Sequence, residues 1–220
     1  MGKHFSQAND RHDDKHMGRT SDAKERLMAA ISELIWIGSY GSTTIDQICE
    51  KAGVKKGSFY YFFDSKSELA VAAIEAEFCA RRAELDAIFS PMVPPLERII
   101  RLCDSGCARQ VELKEKFGQV LGCPLFTLGS EICTQEKGLR EKIQEVLDCH
   151  QRYITSAVRE AHTAGLIDAP DAAAKARMLT AYFEGVLTQA RILNSLEVLK
   201  EIPEGVLSIL GTKRQNPVPV

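Results

Sequence analysis

Two groups of residues in this 220-residue sequence have the types and spacing to do chemistry. The first is a short basic and aromatic run. From Lys51 to Lys66 stand four lysines (Lys51, Lys55, Lys56 and Lys66) against a single acid, Asp64, a local charge of +3. Lysine ammonium groups neutralise phosphates by releasing counterions, and the hydroxyls of Ser58, Tyr60 and Tyr61 can bond phosphate oxygens or base edges. Gly57, set among them, lets a backbone approach a duplex closely. The second group is sulfur: seven cysteines at 49, 79, 103, 107, 123, 133 and 149, with no CxxC pair. Cys103 and Cys107 are one helical turn apart, near enough for a metal or for paired thiol chemistry after modest movement, and Cys123 lies in a Gly-Cys-Pro turn expected to be exposed. The plainer reading of Cys103 and Cys107 is packing, since free cysteine is among the most buried residue types.

Other candidates carry less. His150 falls on an apolar helix stripe, either as a satisfied core histidine or as a polar group in a pocket. His12 and His16 have the i, i+4 spacing of a metal pair, but no apolar face holds their segment in a helix. No zinc-type spacing, GxSxG, P-loop or dinucleotide fingerprint occurs, so neither a catalytic role nor a cofactor is expected.

The elements that must position these residues are helical throughout. Residues 1–20 are polar and read as a disordered arm. From Ser21, Leu27, Ala30, Ile31, Leu34 and Ile35 repeat at helical period, with Asp22 and Glu25 arranged as a capping box; Trp36 in this helix reads as domain packing. Gly38 and Gly41 interrupt, Thr43 begins a second helix with Asp46 three residues on, and Gly53 stops it. A short helix follows over Lys55 to Phe63, whose five consecutive aromatics cannot all point inward. Ser65 and Glu68 then open a long helix from Lys66 to about Phe89. Prolines at 91, 94 and 95 mark the next boundary. Helices are expected from Leu96, over Pro124 to Cys133, over Leu139 to Ala164 and over Asp171 to Leu193, and from Leu196 to Leu210 with a kink or restart at Pro203. The Asp171 helix is apolar on two faces, Leu179, Tyr182, Val186, Ala190 and Leu193 on one and Ala174, Met178, Ala181 and Gly185 on the other, so one face is expected to meet a second subunit.

Composition bounds the class. Hydrophobic residues at 45% and charged residues at 26% exclude a wholly disordered or collagen-like chain. A net charge of −2 gives no global argument for nucleic acid, yet it averages the +3 stretch with −5 over the rest of the chain. Scattered thiols, the lack of a signal-type N-terminus and the lack of about 18 consecutive apolar residues lead us to expect a cytoplasmic protein without a membrane partner. Met1-Gly2-Lys3-His4-Phe5-Ser6 fits the loose myristoylation pattern without the polybasic patch that would support it.

Helix, glycine-containing turn and short lysine-led helix form the outline of a helix-turn-helix. The string Thr43-Thr44-Ile45-Asp46-Gln47-Ile48-Cys49-Glu50-Lys51-Ala52-Gly53-Val54-Lys55-Lys56-Gly57-Ser58-Phe59-Tyr60-Tyr61-Phe62-Phe63, followed by Ser65-Lys66-Ser67-Glu68-Leu69, resembles the TetR family of bacterial one-component regulators. The resemblance implies an all-α homodimer: a three-helix DNA-binding domain (residues 21–66), a long connecting helix, and a helical ligand-binding and dimerisation domain (67–211) before a tail (212–220). Matching positions imply that Thr44, Lys55, Lys56, Ser58, Tyr60, Tyr61 and Lys66 touch DNA, Tyr60 and Lys66 at phosphates. Phe62 stands where the family often has histidine, and Ser39 where glycine is usual before the aromatic Tyr40. Gly122 to Phe126 and Phe183 to Arg191 also look like family segments. Cys103, Cys107, Phe126, His150, Tyr153 and Phe183 are the candidate lining of an effector pocket. The function implied is a repressor that leaves a palindromic operator when an unknown small molecule binds. The alternative is a thiol sensor using Cys103, Cys107 or Cys123.

Overall fold

The computed structural model describes residues 13–132 and 134–212, with side chains from Asp22 onward. Nine α-helices and one 3₁₀ turn make up the described residues, with no strand among them. The chain divides between Ile74 and Glu75 into two compact units.

The N-terminal unit holds α1 (Asp13–Ile37), α2 (Ile45–Ala52), α3 (Lys56–Phe62) and the start of α4 (Lys66–Ile88). Helix α1 begins at Asp13, before the expected Ser21, so Asp22 sits inside it and pairs with Arg26 at 3.2 Å instead of capping it. His12 lies outside the described residues. Leu27, Ile31, Ile48, Phe59 and Leu69 are fully buried, one or two from each helix, and give the three-helix arrangement a common apolar centre. Trp36 is buried in the same unit.

Three devices hold the turns. The cap of α2 is Thr44 rather than Thr43: its hydroxyl accepts from the Gln47 amide at 3.2 Å, and the Gln47 side chain accepts from the Thr44 amide at 2.8 Å. Thr43 is instead buried, its hydroxyl donating to Ser39 O at 2.7 Å. Gly53 ends α2 with φ +63°, a conformation a β-carbon disfavours, and the Arg26 guanidinium of α1 donates to Ala52 O at 2.9 Å. At the other side of the unit, Lys66 Nζ donates to Tyr40 O at 2.7 Å and Thr43 O at 2.8 Å and lies 4.0 Å over the Tyr40 ring. One α4 side chain thereby pins the α1–α2 turn. Lys66→Met is expected to lower the stability of this unit by about 2 kcal/mol, the range for charge-assisted bonds to carbonyls, read as a lower denaturation midpoint; an unchanged midpoint would contradict that role.

The C-terminal unit contains the remainder of α4 with α5 (Pro95–Phe117), α6 (Pro124–Ile132), α7 (Lys137–Thr163), α8 (Ala172–Leu193), a 3₁₀ turn (Glu197–Glu201) and α9 (Ile202–Leu210). Pro203 falls in the first turn of α9, where its missing N–H costs nothing, so the last segment restarts rather than kinks. Leu85, Ile99, Ile154, Val158, Leu179, Leu187, Ile202 and Leu210 share one core. The Phe183 ring of α8 lies against Gly106 of α5, where a β-carbon would stand 2.6 Å from it. Buried Arg98 ties the α4–α5 loop to α7, donating to Val93 O and pairing with Glu160, each at 2.7 Å.

Helix α8 does have two apolar faces. Leu179, Val186, Leu187 and Ala190 are buried, while Met178, Ala181, Gly185 and Ile192 follow helical spacing on the outside, Met178 at 55% and Ile192 at 75% exposure. Leu193, expected with the inward set, is exposed, because the helix ends there at Asn194 in the left-handed region.

Candidate nucleic-acid interface

Helix α3 is amphipathic within seven residues. Phe59 is completely buried and Phe63, just past the helix, nearly so; their rings are 6.2 Å apart. Helical spacing then forces their neighbours outward: Tyr60 is half exposed and Tyr61 is 74% exposed, with Lys55, Lys56 and Gly57 open to solvent beside them. Ser58 and Phe62 are half-buried. Nothing lies within 4 Å of where a Gly57 β-carbon would be, so the fold itself does not demand glycine there. The free space faces outward with the two tyrosines.

The lysines are not equally available. Lys56 forms an ion pair with Asp46 of α2 at 2.8 Å, and this hydrogen-bonded partner raises its pKa. Lys51 pairs with Glu33 of α1, and Lys66 is committed to two carbonyls. Lys55 is exposed and has no acidic partner among the described residues. The local +3 counted along the chain is therefore reduced in space, because Asp46 and Glu33 lie outside residues 51–66 but fold against them. Such exposed pairs are weak, so a phosphate can displace Asp46 from Lys56 at small cost. Thr44 is exposed at the α2 N-terminus with its side chain already capping the helix. The surface that results is a short helix presenting two tyrosine hydroxyls, two lysines and an unobstructed backbone, suited to a polyanionic duplex.

The candidate effector residues separate into groups within the C-terminal unit. Cys103 belongs to the core, with Cys107, Tyr153 and Phe183 packed partly buried against it. The Tyr153 hydroxyl donates to Asp86, and its ring lies 5.1 Å from Phe89. His150 stacks edge-on against Phe78 at 5.8 Å; burial, helped by the charge of Arg81, lowers its pKa to about 4 and keeps it neutral. Phe126 is half-buried on α6. Cys123, expected to be exposed, is a correction: burial first, and the nearby Glu184 carboxylate second, push its thiol up to about 12. Its loop folds inward because buried Gln110 bonds both the Gly122 amide (2.8 Å) and the Gly122 carbonyl (3.1 Å). Buried Gln110 and half-buried Gln151, Thr180 and Glu184 carry the inward polar chemistry here and are not among the expected site residues. The signal available was polar side chains recurring at inward positions of otherwise apolar helices.

Comparison with known proteins agrees with this geometry. Residues 27–73 match the family model of bacterial regulatory proteins of the tetR family, and residues 95–204 match that of the tetracyclin repressor-like C-terminal domain. The transcriptional regulator AcuR of Cereibacter sphaeroides is 32% identical over 178 residues, 77% of each chain. The crystal structure of a TetR regulatory protein from Rhodobacter sphaeroides superposes with a TM-score of 0.73 at 28% identity, over 84% of this chain and 96% of that one. Reduced Escherichia coli NemR has a TM-score of 0.74 at 22% identity, over 88% and 100%, a likeness of fold.

Proposed function

Since this chain belongs to the TetR family of bacterial transcriptional regulators, we propose that it is a ligand-responsive repressor that binds a palindromic operator as a homodimer in the cytoplasm. The observation that carries this reading is the outward face of α3, where Lys55, Lys56, Gly57, Tyr60 and Tyr61 stand together over a buried Phe59. Thr44, Ser58 and Lys66 flank it, Lys66 by positioning the turn and Thr44 by opening α2. The outer stripe of α8, Met178, Ala181, Gly185 and Ile192, supports self-association, since an apolar helix face of that length is seldom left to water. No helix among the described residues is long and apolar enough to cross a membrane.

Helix α4 begins in the DNA-binding unit and ends in the C-terminal one, so it is the covalent route by which an effector can act on the reading head. A dimer must engage both half-sites together, so a small change in head separation weakens binding steeply. The thiol-sensing alternative has less support. Burial pushes Cys103 to about 12 and Cys107 to about 11, so both are protonated at neutral pH, and the thiolate is the reactive form.

Capture of genomic fragments by the purified protein tests the reading. Retention of a small set of fragments sharing an inverted repeat is expected; indifferent retention, or none at low salt, overturns it. Simultaneous replacement of Cys103 and Cys107 with serine, with Cys123 kept, is expected to leave release by the effector intact. Loss of release with DNA binding retained would favour the thiol reading.

A further inference from the structure

Glu184 is a half-buried carboxyl group of the C-terminal unit whose Oε2 is buried, with no ion-pair partner among the described residues. Thr180, Glu184 and Arg191 fall on one flank of α8, which meets α7 and the segment entering α6. Arg191 is committed to the loop, donating to Leu121 O at 2.7 Å and Thr127 Oγ1 at 3.3 Å. Glu184 Oε2 is buried with no hydrogen-bond partner, and so is the side-chain nitrogen of Gln151 on α7. Around nine in ten buried polar atoms in proteins are paired, so two orphaned atoms on adjoining helices mark a place for a further partner.

The Thr180 hydroxyl decides what that partner must offer. Its oxygen lies 3.1 Å from Gln151 Oε1 and 3.1 Å from Ala176 O, yet a hydroxyl has one proton to donate. Donation to the carbonyl four residues back is the common habit of helical threonine. Gln151 must then be the donor in the other contact, which exchanges its amide nitrogen and oxygen. The orphaned Gln151 atom becomes an acceptor, as Glu184 Oε2 already is.

Charge narrows the class. Burial raises the Glu184 carboxyl to about 7, opposed only by a hydrogen bond with the Cys123 thiol. That thiol is the titratable group facing it from the α6 segment, and the Phe126 and Leu125 amides face the thiol in turn. One turn before Glu184 on α8 stands the neutral Thr180, and the neutral Gln151 of α7 meets that threonine. No lysine, arginine or histidine among the described residues forms an ion pair with Glu184. A buried carboxylate is costly unless paired.

We infer that Glu184 and Thr180 of α8, Gln151 of α7 and Cys123 at the start of α6 form a site for an organic cation carrying N–H donors, an ammonium or amidinium ion. This rests on the ligand-responsive reading and names the ligand class. One N–H bonds Glu184 Oε2, another bonds Gln151, and the positive charge supplies the missing counter-ion. Binding requires ionised Glu184. An amine that stays protonated therefore gains affinity as pH rises through about 7, by about tenfold between pH 6 and pH 8.

The test is a matched panel of small amines, alcohols, amides and carboxylic acids, with benzylamine, benzyl alcohol, benzamide and benzoate as one set. Binding to the full chain is followed at millimolar concentration by calorimetry and thermal shift at pH 6 and pH 8. Amines are expected to bind and to bind more tightly at pH 8, and Glu184→Gln to weaken them at least tenfold and remove the pH dependence. The variant's own melting curve shows that it is folded. Preference for alcohols, amides or acids, or no gain from any amine, overturns the site, as does an amine affinity that Glu184→Gln leaves unchanged; ordered water would then satisfy the two acceptors. DNA retention by the wild-type protein separates the two readings. Amines that bind without releasing DNA leave the cation site standing and remove it as the effector site. Release by a non-cationic fragment, with amines inert, keeps ligand control and removes the cation site.

Discussion

Replacing Lys55 and Lys56 together with alanine is expected to weaken DNA binding on the order of 30-fold near 0.15 M salt and to flatten the salt dependence by about two for each bound head. Each phosphate contact releases close to one counterion, so two lost contacts remove nearly two powers of salt concentration from the binding constant. Fluorescence anisotropy on a retained genomic fragment, titrated over a range of salt, reads both quantities. The two lysines contribute differently. Lys55 comes to the duplex unpaired by any described acid, whereas Lys56 must leave Asp46, an exposed pair of small worth. The single Lys55→Ala change should therefore account for at least half of the loss. An unaltered salt slope in the double variant would show that another surface carries the contact.

Phe59→Ala is expected to cost about 3–5 kcal/mol, the range for truncating a fully buried aromatic, against a total domain stability of about 5–15 kcal/mol. Phe59 is the one fully buried side chain of α3, and its ring lies 5.2 Å from that of Tyr60 and 6.2 Å from that of Phe63. Losing it releases the reading helix first. Limited proteolysis should then cut the N-terminal unit while fragments of the C-terminal unit persist, and DNA binding should disappear in step. Phe62→Ala, at a half-buried position, should cost far less. Equal effects of the two substitutions would contradict the inward and outward assignment of α3.

That assignment was legible in the sequence as a constraint: five consecutive aromatics at helical period cannot all face one way. Which two go in follows only from the folded unit, where Phe59 and Phe63 are the buried pair. Helix order and breaks were also legible, because glycine, proline and capping residues punctuate the chain at nearly every boundary. The cap of α2 moved by one residue to Thr44, since Thr43 is drawn inward to bond Ser39 O. What local reading could not reach was pairing between distant residues. The sequence offers Lys66 as a phosphate ligand and Lys56 as unopposed, whereas the fold sets the Lys66 ammonium between Tyr40 O and Thr43 O and Asp46 beside Lys56. Cys123 looked exposed because turns usually are; Gln110, reaching across from α5, draws that turn inward. Glu184 is hidden for the same reason, since the Cys123 thiol beside it comes from a segment far away in the chain.

The central claim, that paired α3 helices read an operator, is tested most directly by footprinting a retained genomic fragment with the wild-type protein and the Lys55→Ala, Lys56→Ala double variant. The account predicts two symmetric protected tracts whose centres are separated by whole turns of the duplex, about 34–36 Å or a multiple, and their loss in the double variant at moderate salt. Uniform or single-tract protection, or two tracts that survive the double substitution, would contradict it.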